Sequence, residues 1–456
     1  MTTDTPYGAD LKEVINLFVP ESELAFFHTF SAENGFYENE IAVEDKTYRY
    51  RDKIPVAANA LEKKRFEKRN VKLSAYKALS SFFGRELPWG ALTGIRPTKL
   101  AYQELERSKT FAPLFDEMHV SRAKREIVEK ILAAQRGIYK KDDENSDFFV
   151  FVPFCPSKCA YCSFITADIT RSGKYVGAFL DALEREISAA WKLVKNLRSV
   201  YIGGGTPVAL SAEQFERVLK AVGKHEGTEY TVEAGRPDCI DEEKLAIMEK
   251  YKVTRVCVNP QTFNDETLVR LGRKHTAKDI YEKYAIIKDR FSVNMDLIAG
   301  LEGETAEDFR RSLDAAIDLR PDNITVHTLC LKRGSLLKEE KSYLSEGGVS
   351  EMIEYAHGAL AKAGYSPYYL YRQKYMAGNL ENTGYTLPQK ACVYNVDTME
   401  EISATVACGA NAVSKAVFCG CERIERYKNP KDIPTYIAKI DEVIAEKEKL
   451  FAGERR

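Results

Sequence analysis

The stretch FFVFVPFCPSKCAYC, Phe148 to Cys162, decides how the rest of the chain is read. A mostly apolar run of strand length, Phe148 to Phe154, leads directly into Cys155, Cys159 and Cys162, spaced C-x3-C-x2-C. Thiolates this close can converge on one metal centre. Structural zinc takes four protein ligands in a closed tetrahedron, and the next histidine along the chain is only His225. Iron–sulfur clusters are usually held by four cysteines, so three would leave one iron open to a further ligand. Buried cysteines in a turn, a zinc site and an open-site cluster are the three readings, and the clustering favours the last.

Working outward, strand-like and helix-like patterns alternate. Strands are expected at Ser199 to Gly205, Thr228 to Ala234, Thr254 to Pro260, Phe291 to Gly300 and Asp322 to Leu329. Between them, Tyr175 to Trp191, Ala212 to Val222, Asp241 to Lys250, Asp265 to Leu271, Asp279 to Lys288 and Glu304 to Leu319 read as helices. With the Phe148 run this makes six strands in a parallel βα array. Periodicity alone does not choose between an open doubly wound sheet and a barrel. Before the array, the chain to about Tyr139 is helix-rich, with helices over Leu73 to Phe83 and Arg122 to Ile138. KKDDENSD, Lys140 to Asp147, is a charge run that reads as a linker. After it, Met352 to Ala363, MEEISATVACGANAVSK (399–415) and Pro434 to Phe451 read as helices of a C-terminal α+β module. The expected domains are 1–145, 146–335 and 336–456.

With 67 Lys and Arg against 68 Asp and Glu, the 456-residue chain carries a net charge of −1. No global basic field exists, which argues against a nucleic-acid partner. A hydrophobic content of 44% suits a globular protein. No apolar stretch approaches the roughly 20 residues that span a bilayer, and the N-terminus lacks a signal-peptide pattern. A cytoplasmic location is expected, where the ten cysteines stay reduced.

In a parallel array the functional groups gather at the C-terminal strand ends. The first strand ends at the cysteine loop and the second at Gly203-Gly204-Gly205-Thr206-Pro207. The third ends at Glu233, the fourth at Asn259 and Gln261, the fifth at Asp296 and the sixth at His327. The triple glycine lacks the spacing of a dinucleotide or phosphate loop, so its meaning comes from its position. Each strand end, taken singly, reads as a satisfied polar terminus. Together they outline a polar pocket beside a metal cluster.

The cysteine loop resembles that of radical S-adenosylmethionine (SAM) enzymes. GGGTP, VNPQTFNDETLVRLGRKHT from Val258 and NMDLIAGLEGET from Asn294 resemble the oxygen-independent coproporphyrinogen III oxidase (dehydrogenase) family. LTGIRPTKL from Leu92 and YYLYRQKYMAGNLENTGY from Tyr368 are similar to its HemZ-type branch. The fold this implies is a partial (β/α)6 radical SAM barrel with a helix-rich N-terminal domain and a C-terminal α+β module. Cys155, Cys159 and Cys162 would hold a [4Fe–4S] cluster whose fourth iron chelates SAM. Tyr161 would contact the adenine, and Gly204, Gly205 and Thr206 the methionine end. Glu233, Gln261, Arg273 and Asp296 would make polar contacts, and Cys330 and Val413 would line the pocket. Phe149 stands where the better-known branch has a Tyr.

The activity implied is oxidative decarboxylation of coproporphyrinogen III propionates to vinyl groups, giving protoporphyrinogen IX. A reductant such as flavodoxin or ferredoxin would serve a monomeric enzyme. Phe164 stands where that branch has a further Cys, and the haem-chaperone branch also reads C-x3-C-x-Y-C-x-F. A haem carrier that retains the cluster, or an enzyme acting on haem or another tetrapyrrole, are therefore the alternatives. Arg372 and Arg96 are candidates for substrate carboxylates or ordinary surface ion pairs. Tyr368, Tyr369, Tyr371 and Tyr375 face a macrocycle or form a core seam. Cys419 and Cys421 form a C-x-C, while Cys239, Cys257, Cys392 and Cys408 read as small core residues.

Overall fold

The computed structural model describes residues 1–57, 59–94, 96–164, 167–330, 346–373 and 380–453. The chain divides into two compact units: Met1–Glu129, joined by a short piece ending at Leu380, and the remainder from Lys130.

In the smaller unit the helix expected over Leu73 to Phe83 is the second half of Ala60–Phe83, which Asn59 caps at one end and left-handed Gly84 closes at the other, while the helix expected from Arg122 is Arg122–Ala134 and runs across the division into the larger unit. The smaller unit also contains a sheet that the helical reading passed over. Strand β1 (Thr2–Thr3) runs parallel to β2 (Phe26–Glu33), which continues through β3 (Phe36–Val43) and β4 (Lys46–Lys53) as an antiparallel meander. Asn34 and Gly35 both have positive φ and join β2 to β3 as a two-residue turn.

In the larger unit, β5 (Asn145–Val152) leads to the cysteine loop, whose start, β6 (Phe154–Cys155), pairs with β7 (Ala167–Asp168). Next come β8 (Asn196–Gly204), β9 (Glu229–Glu233), β10 (Arg255–Cys257), β11 (Ser292–Ala299) and β12 (Asn323–Thr328). Strands β5, β8, β9, β10, β11 and β12 lie side by side in chain order, all parallel. Right-handed crossovers in one direction send every connecting helix to the same face. The other face curves around the site as an open, partial barrel. Capping boxes at Ser211/Gln214, Thr276/Asp279 and Thr305/Asp308 start three of those helices sharply.

Both edges of this sheet are extended by later segments. Beyond β12 lie β14 (Asn382–Thr386) and β13 (Ser366–Tyr371), both in antiparallel pairings. Beyond β5 lie β15 (Ala404–Cys408), parallel to it, then β16 (Val413–Phe418) and β17 (Arg423–Lys428). Segments 146–335 and 336–456 thus share one eleven-stranded sheet.

Two local expectations are corrected here. The run 399–415 was expected to be helix, but the helix is Val393–Glu400, and Ala404–Cys408 is a strand. ATVAC is buried along its whole length between β5 and β16, so it shows no alternation. The charge run 140–147 is a linker only in its first half. Asn145, Ser146 and Asp147 are buried, and Asp147 accepts a hydrogen bond from the Ser199 hydroxyl at 2.6 Å. Among the described residues no helix is long and apolar enough to cross a membrane.

Candidate active site

The cysteine loop is pinned to the barrel at several points. The Ala160 N–H donates to the Leu271 carbonyl (3.1 Å), the Ser157 hydroxyl to Gly272 O (3.1 Å) and the Cys162 N–H to Cys159 O (3.0 Å). Ala160 and Tyr161 pack on Leu271, Ile298, Leu301 and Leu329. The glycine-rich end of β8 is tied to the same corner, with Gly205 N–H on Val152 O (2.8 Å) and Thr206 N–H on Phe154 O (2.7 Å). The Thr206 hydroxyl lies 3.6 Å from the Cys155 sulfur.

One cavity collects the three cysteines and the polar strand ends. Of the residues expected at the site, Cys155, Cys159, Cys162, Tyr161, Gly204, Gly205, Thr206, Glu233, Gln261, Arg273, Asp296 and Cys330 line it, as do Asn259 and His327. Two expected residues do not. The Phe149 ring sits deeper, stacked on Tyr394 (5.9 Å, 16°) and beside Tyr201. Val413 starts β16 opposite Lys428, two strands beyond β5, and is 39% exposed.

Electrostatics differ from wall to wall. Burial pushes the Glu233 carboxyl up to about 7, partly offset by the Tyr201 hydroxyl that donates to it at 2.6 Å. For Asp296 burial acts in the same sense. There, however, His327 and hydrogen bonds from Asn294 and Thr325 win and hold the carboxyl below its usual range. His327 Nε2 is 3.6 Å from Asp296, and Nδ1 faces the Tyr371 hydroxyl at 3.4 Å. Arg273 spends its guanidinium on the Tyr161 hydroxyl (2.9 Å) and the carbonyls of Gly235 and Asn259 (2.7 and 2.8 Å).

Sequence reasoning missed Arg236, which also lines the cavity. Its signal was a charged Arg-Pro-Asp immediately after a strand end. Gln373 and Asn382 were missed as well, because they reach the cavity from the antiparallel edge and not from the βα repeat. Among the earlier candidates, Arg372 is buried beside Glu381 instead of forming a surface ion pair. Arg96 precedes the helix Pro97–Ser108 in the smaller unit. Tyr368 and Tyr369 are core, in edge-to-face contact at 4.8 Å, and only Tyr371 reaches the cavity. Tyr375 lies outside the described residues. Cys421 is buried against Ala404 and Val417, whereas Cys419 is exposed. Cys257, Cys392 and Cys408 are buried and Cys239 is half-buried.

The donor set fits a cluster. Among the described residues no three Cys, His, Asp or Glu side chains converge on a point as the ligands of a single ion do. Cluster cysteines each take a different iron, so theirs need not. Burial pushes the Cys162 thiol up to about 11, so a thiolate there needs the positive charge of bound iron. Two buried side-chain oxygens lining the cavity, Asn259 Oδ1 and Gln261 Oε1, have no hydrogen-bond partner. Buried acceptors left open in this way suit a polar ligand.

Comparison with known proteins agrees with this geometry. The Radical SAM superfamily profile matches residues 149–316. The oxygen-independent coproporphyrinogen-III oxidase-like protein HemZ of Bacillus subtilis is 38% identical over 395 residues, 82% of this chain and 79% of that protein. The haem chaperone HemW of Lactococcus lactis is 32% identical over 49% of this chain and 60% of its own length. Among solved structures, coproporphyrinogen III oxidase (HemN) from Escherichia coli shares the fold. Its TM-score is 0.54 at 20% identity, over 69% of this chain and 73% of that one. The chain belongs to the radical SAM superfamily, in the HemZ-type branch of the oxygen-independent coproporphyrinogen III oxidase family, and its cofactors are a [4Fe–4S] cluster and SAM.

Proposed function

We propose that this protein oxidatively decarboxylates the propionate side chains of coproporphyrinogen III to vinyl groups, yielding protoporphyrinogen IX in anaerobic haem biosynthesis. The observation that carries the reading is the single cavity in which the three cysteines that follow the first strand meet polar or glycine-rich residues from the other five, in a chain 38% identical to a coproporphyrinogen-III oxidase-like relative. Cys155, Cys159 and Cys162 would each hold one iron. Tyr161 would face the adenine of SAM, the backbone of Gly204 and Gly205 with Thr206 its methionine end, and Glu233, Gln261, Arg273 and Asp296 its polar groups. When bound, these cofactors supply reductive one-electron chemistry that ends in abstraction of a hydrogen atom from a substrate C–H bond. Each propionate then loses CO2 and one further electron, which passes to an acceptor.

The chain's own contribution is placement and shielding. Gly205 and Thr206, hydrogen-bonded to Val152 and Phe154, hold the cofactor end of β8 against the cysteine loop. His327, Tyr371, Gln373 and Asn382 form the wall offered to the tetrapyrrole. The packing of Ala160 and Tyr161 on the buried Leu271, Ile298, Leu301 and Leu329 gives the cavity an apolar wall that shields one side of it from water. A flavodoxin- or ferredoxin-like reductant, a cytoplasmic setting and a monomer complete the reading.

A second reading, a haem-binding chaperone that retains the cluster, is favoured by one residue. Phe164 lines the cavity and is 63% exposed, an apolar ring where the decarboxylase branch has a Cys. The experiment is an anaerobic assay of reconstituted protein with dithionite, SAM and coproporphyrinogen III, following 5′-deoxyadenosine and decarboxylated porphyrin together. Both products, and the loss of both in Cys159→Ala, support the decarboxylase. Neither product from a cluster-loaded protein, together with saturable haem binding by visible absorbance, replaces it with the carrier.

A further inference from the structure

We propose that Arg236, clamped by Asp238, donates an N–H hydrogen bond to the Cys159 sulfur of the cluster and thereby raises the cluster's reduction potential. Arg236 leaves the end of β9 just before Pro237, whose ring starts a short turn and fixes the backbone there. Its Nε and Nη2 donate to the two Asp238 oxygens at 2.9 and 2.8 Å, a bidentate fork that removes the side chain's rotational freedom. The remaining nitrogen, Nη1, points at the cysteine loop, 3.0 Å from the Ser157 hydroxyl and 3.8 Å from the Cys159 sulfur. The buried His275 lies against the same carboxylate, its Nδ1 3.6 Å from Asp238 Oδ1. Arg236 is only 3% exposed, so its approach to the Cys159 sulfur is shielded from solvent screening.

Reduction adds an electron to the cluster, and that negative charge is spread over its sulfurs. An ionised N–H donor aimed at one sulfur therefore favours the reduced form, and hydrogen bonds to sulfur are among the factors that set cluster potentials. Asp238 balances the charge of the guanidinium at a distance. It does not cancel the N–H dipole directed at Cys159. Two further donors at this loop are neutral, the Thr206 hydroxyl at Cys155 and the Phe164 backbone N–H at Cys162. Charge-assisted hydrogen bonds are roughly twice as strong as neutral ones. The inference rests on the cluster alone and not on the tetrapyrrole reading, so it stands or falls without a substrate.

The test is a potentiometric titration of the reconstituted full chain, monitored by the electron paramagnetic resonance signal of the reduced cluster. Arg236→Gln is expected to lower the reduced-to-oxidised ratio at a fixed potential about tenfold. That is a shift of about 59 mV to more negative potential for a one-electron couple. Because Arg236→Gln leaves the Asp238 carboxylate without its partner, the double variant Arg236→Gln/Asp238→Asn removes the donor with charge balance kept, and should shift in the same sense. Arg236→Lys keeps the charge but loses the fork, and should fall between. Midpoints equal to or above the parent's in both glutamine variants, with iron and sulfide content unchanged, would overturn the proposal. Loss of the cluster from both glutamine variants would also overturn it, by making Arg236 an assembly residue.

Discussion

Replacing the glycines of Gly203-Gly204-Gly205 by alanine one at a time should give three different outcomes. At Gly204 φ is +101°, a region costly for any residue with a Cβ, and the added carbon would lie 2.6 Å from the Phe151 ring. Strained backbone costs about 1–3 kcal/mol and overpacking about 1–3 kcal/mol more, a large share of a native stability of about 5–15 kcal/mol. At Gly205 the new carbon would sit 2.5 Å from Phe154 O and 2.8 Å from Val152 O. Those carbonyls accept the Thr206 and Gly205 N–H groups, so withdrawal breaks a ladder bond for about 1 kcal/mol on top of the overpacking. At Gly203 the obstacle is the Glu233 carboxylate, 2.8 Å away at the end of a side chain that can turn into the cavity. Gly203→Ala should therefore be the mildest in stability, losing mainly the Tyr201–Glu233 bond at about 1 kcal/mol, yet it should weaken SAM binding. Urea denaturation measures the first quantity, and calorimetry on reconstituted protein the second. A Gly204→Ala protein within about 0.5 kcal/mol of the parent, the range of ordinary surface changes, would refute the reasoning. So would Gly203→Ala proving the most destabilising of the three.

Lys447→Met should cost about 3–5 kcal/mol, since it breaks a buried ion pair with Glu186 and leaves that carboxylate to Tyr436, Asn429 and the Gly409 N–H. Thermal denaturation checks this, and Glu186→Gln added to Lys447→Met should recover part of the loss. Glu233 has its carboxyl raised to about 7 by burial, so the folded form holds a proton that the unfolded chain releases at lower pH. Its stabilising contribution is complete below the ordinary glutamate range and is lost as pH rises through about 7, so Glu233→Gln should flatten that decline in denaturation curves taken from pH 5 to 8. Tyr161→Phe removes the hydroxyl to which Arg273 donates and leaves a buried N–H unpaired, for about 1–3 kcal/mol in urea unfolding.

The barrel was legible because its strands are buried on both faces and read as short apolar runs leading to polar or glycine residues, although Asp296, expected at the end of the fifth strand, lies three residues inside β11. That pattern placed Glu233, Gln261, Asp296 and His327 on one cavity before any contact was known. Where the pattern fails, the cause is local. ATVAC in β15 is as buried as β5, but its alanines read as helix. The Asn34-Gly35 hairpin signal lay within a stretch taken as helical, so the meander was missed. Phe149 sits three residues before the end of β5, where its ring stacks on Tyr394 and not among the cavity's lining. Arg236 owes its place to a clamp with Asp238 and to a sulfur far away in sequence, and neither contact leaves a periodic trace.

The central claim is that Cys155, Cys159 and Cys162 hold a cluster whose open iron faces the cavity where SAM binds. Mössbauer spectroscopy of protein reconstituted with 57Fe, with and without SAM, tests it most directly. The account predicts that SAM changes the signal of one iron of the cluster and leaves the others as they were, and that no cluster forms when the three cysteines are replaced by alanine. A spectrum indifferent to SAM, or a cluster retained without those cysteines, would contradict it.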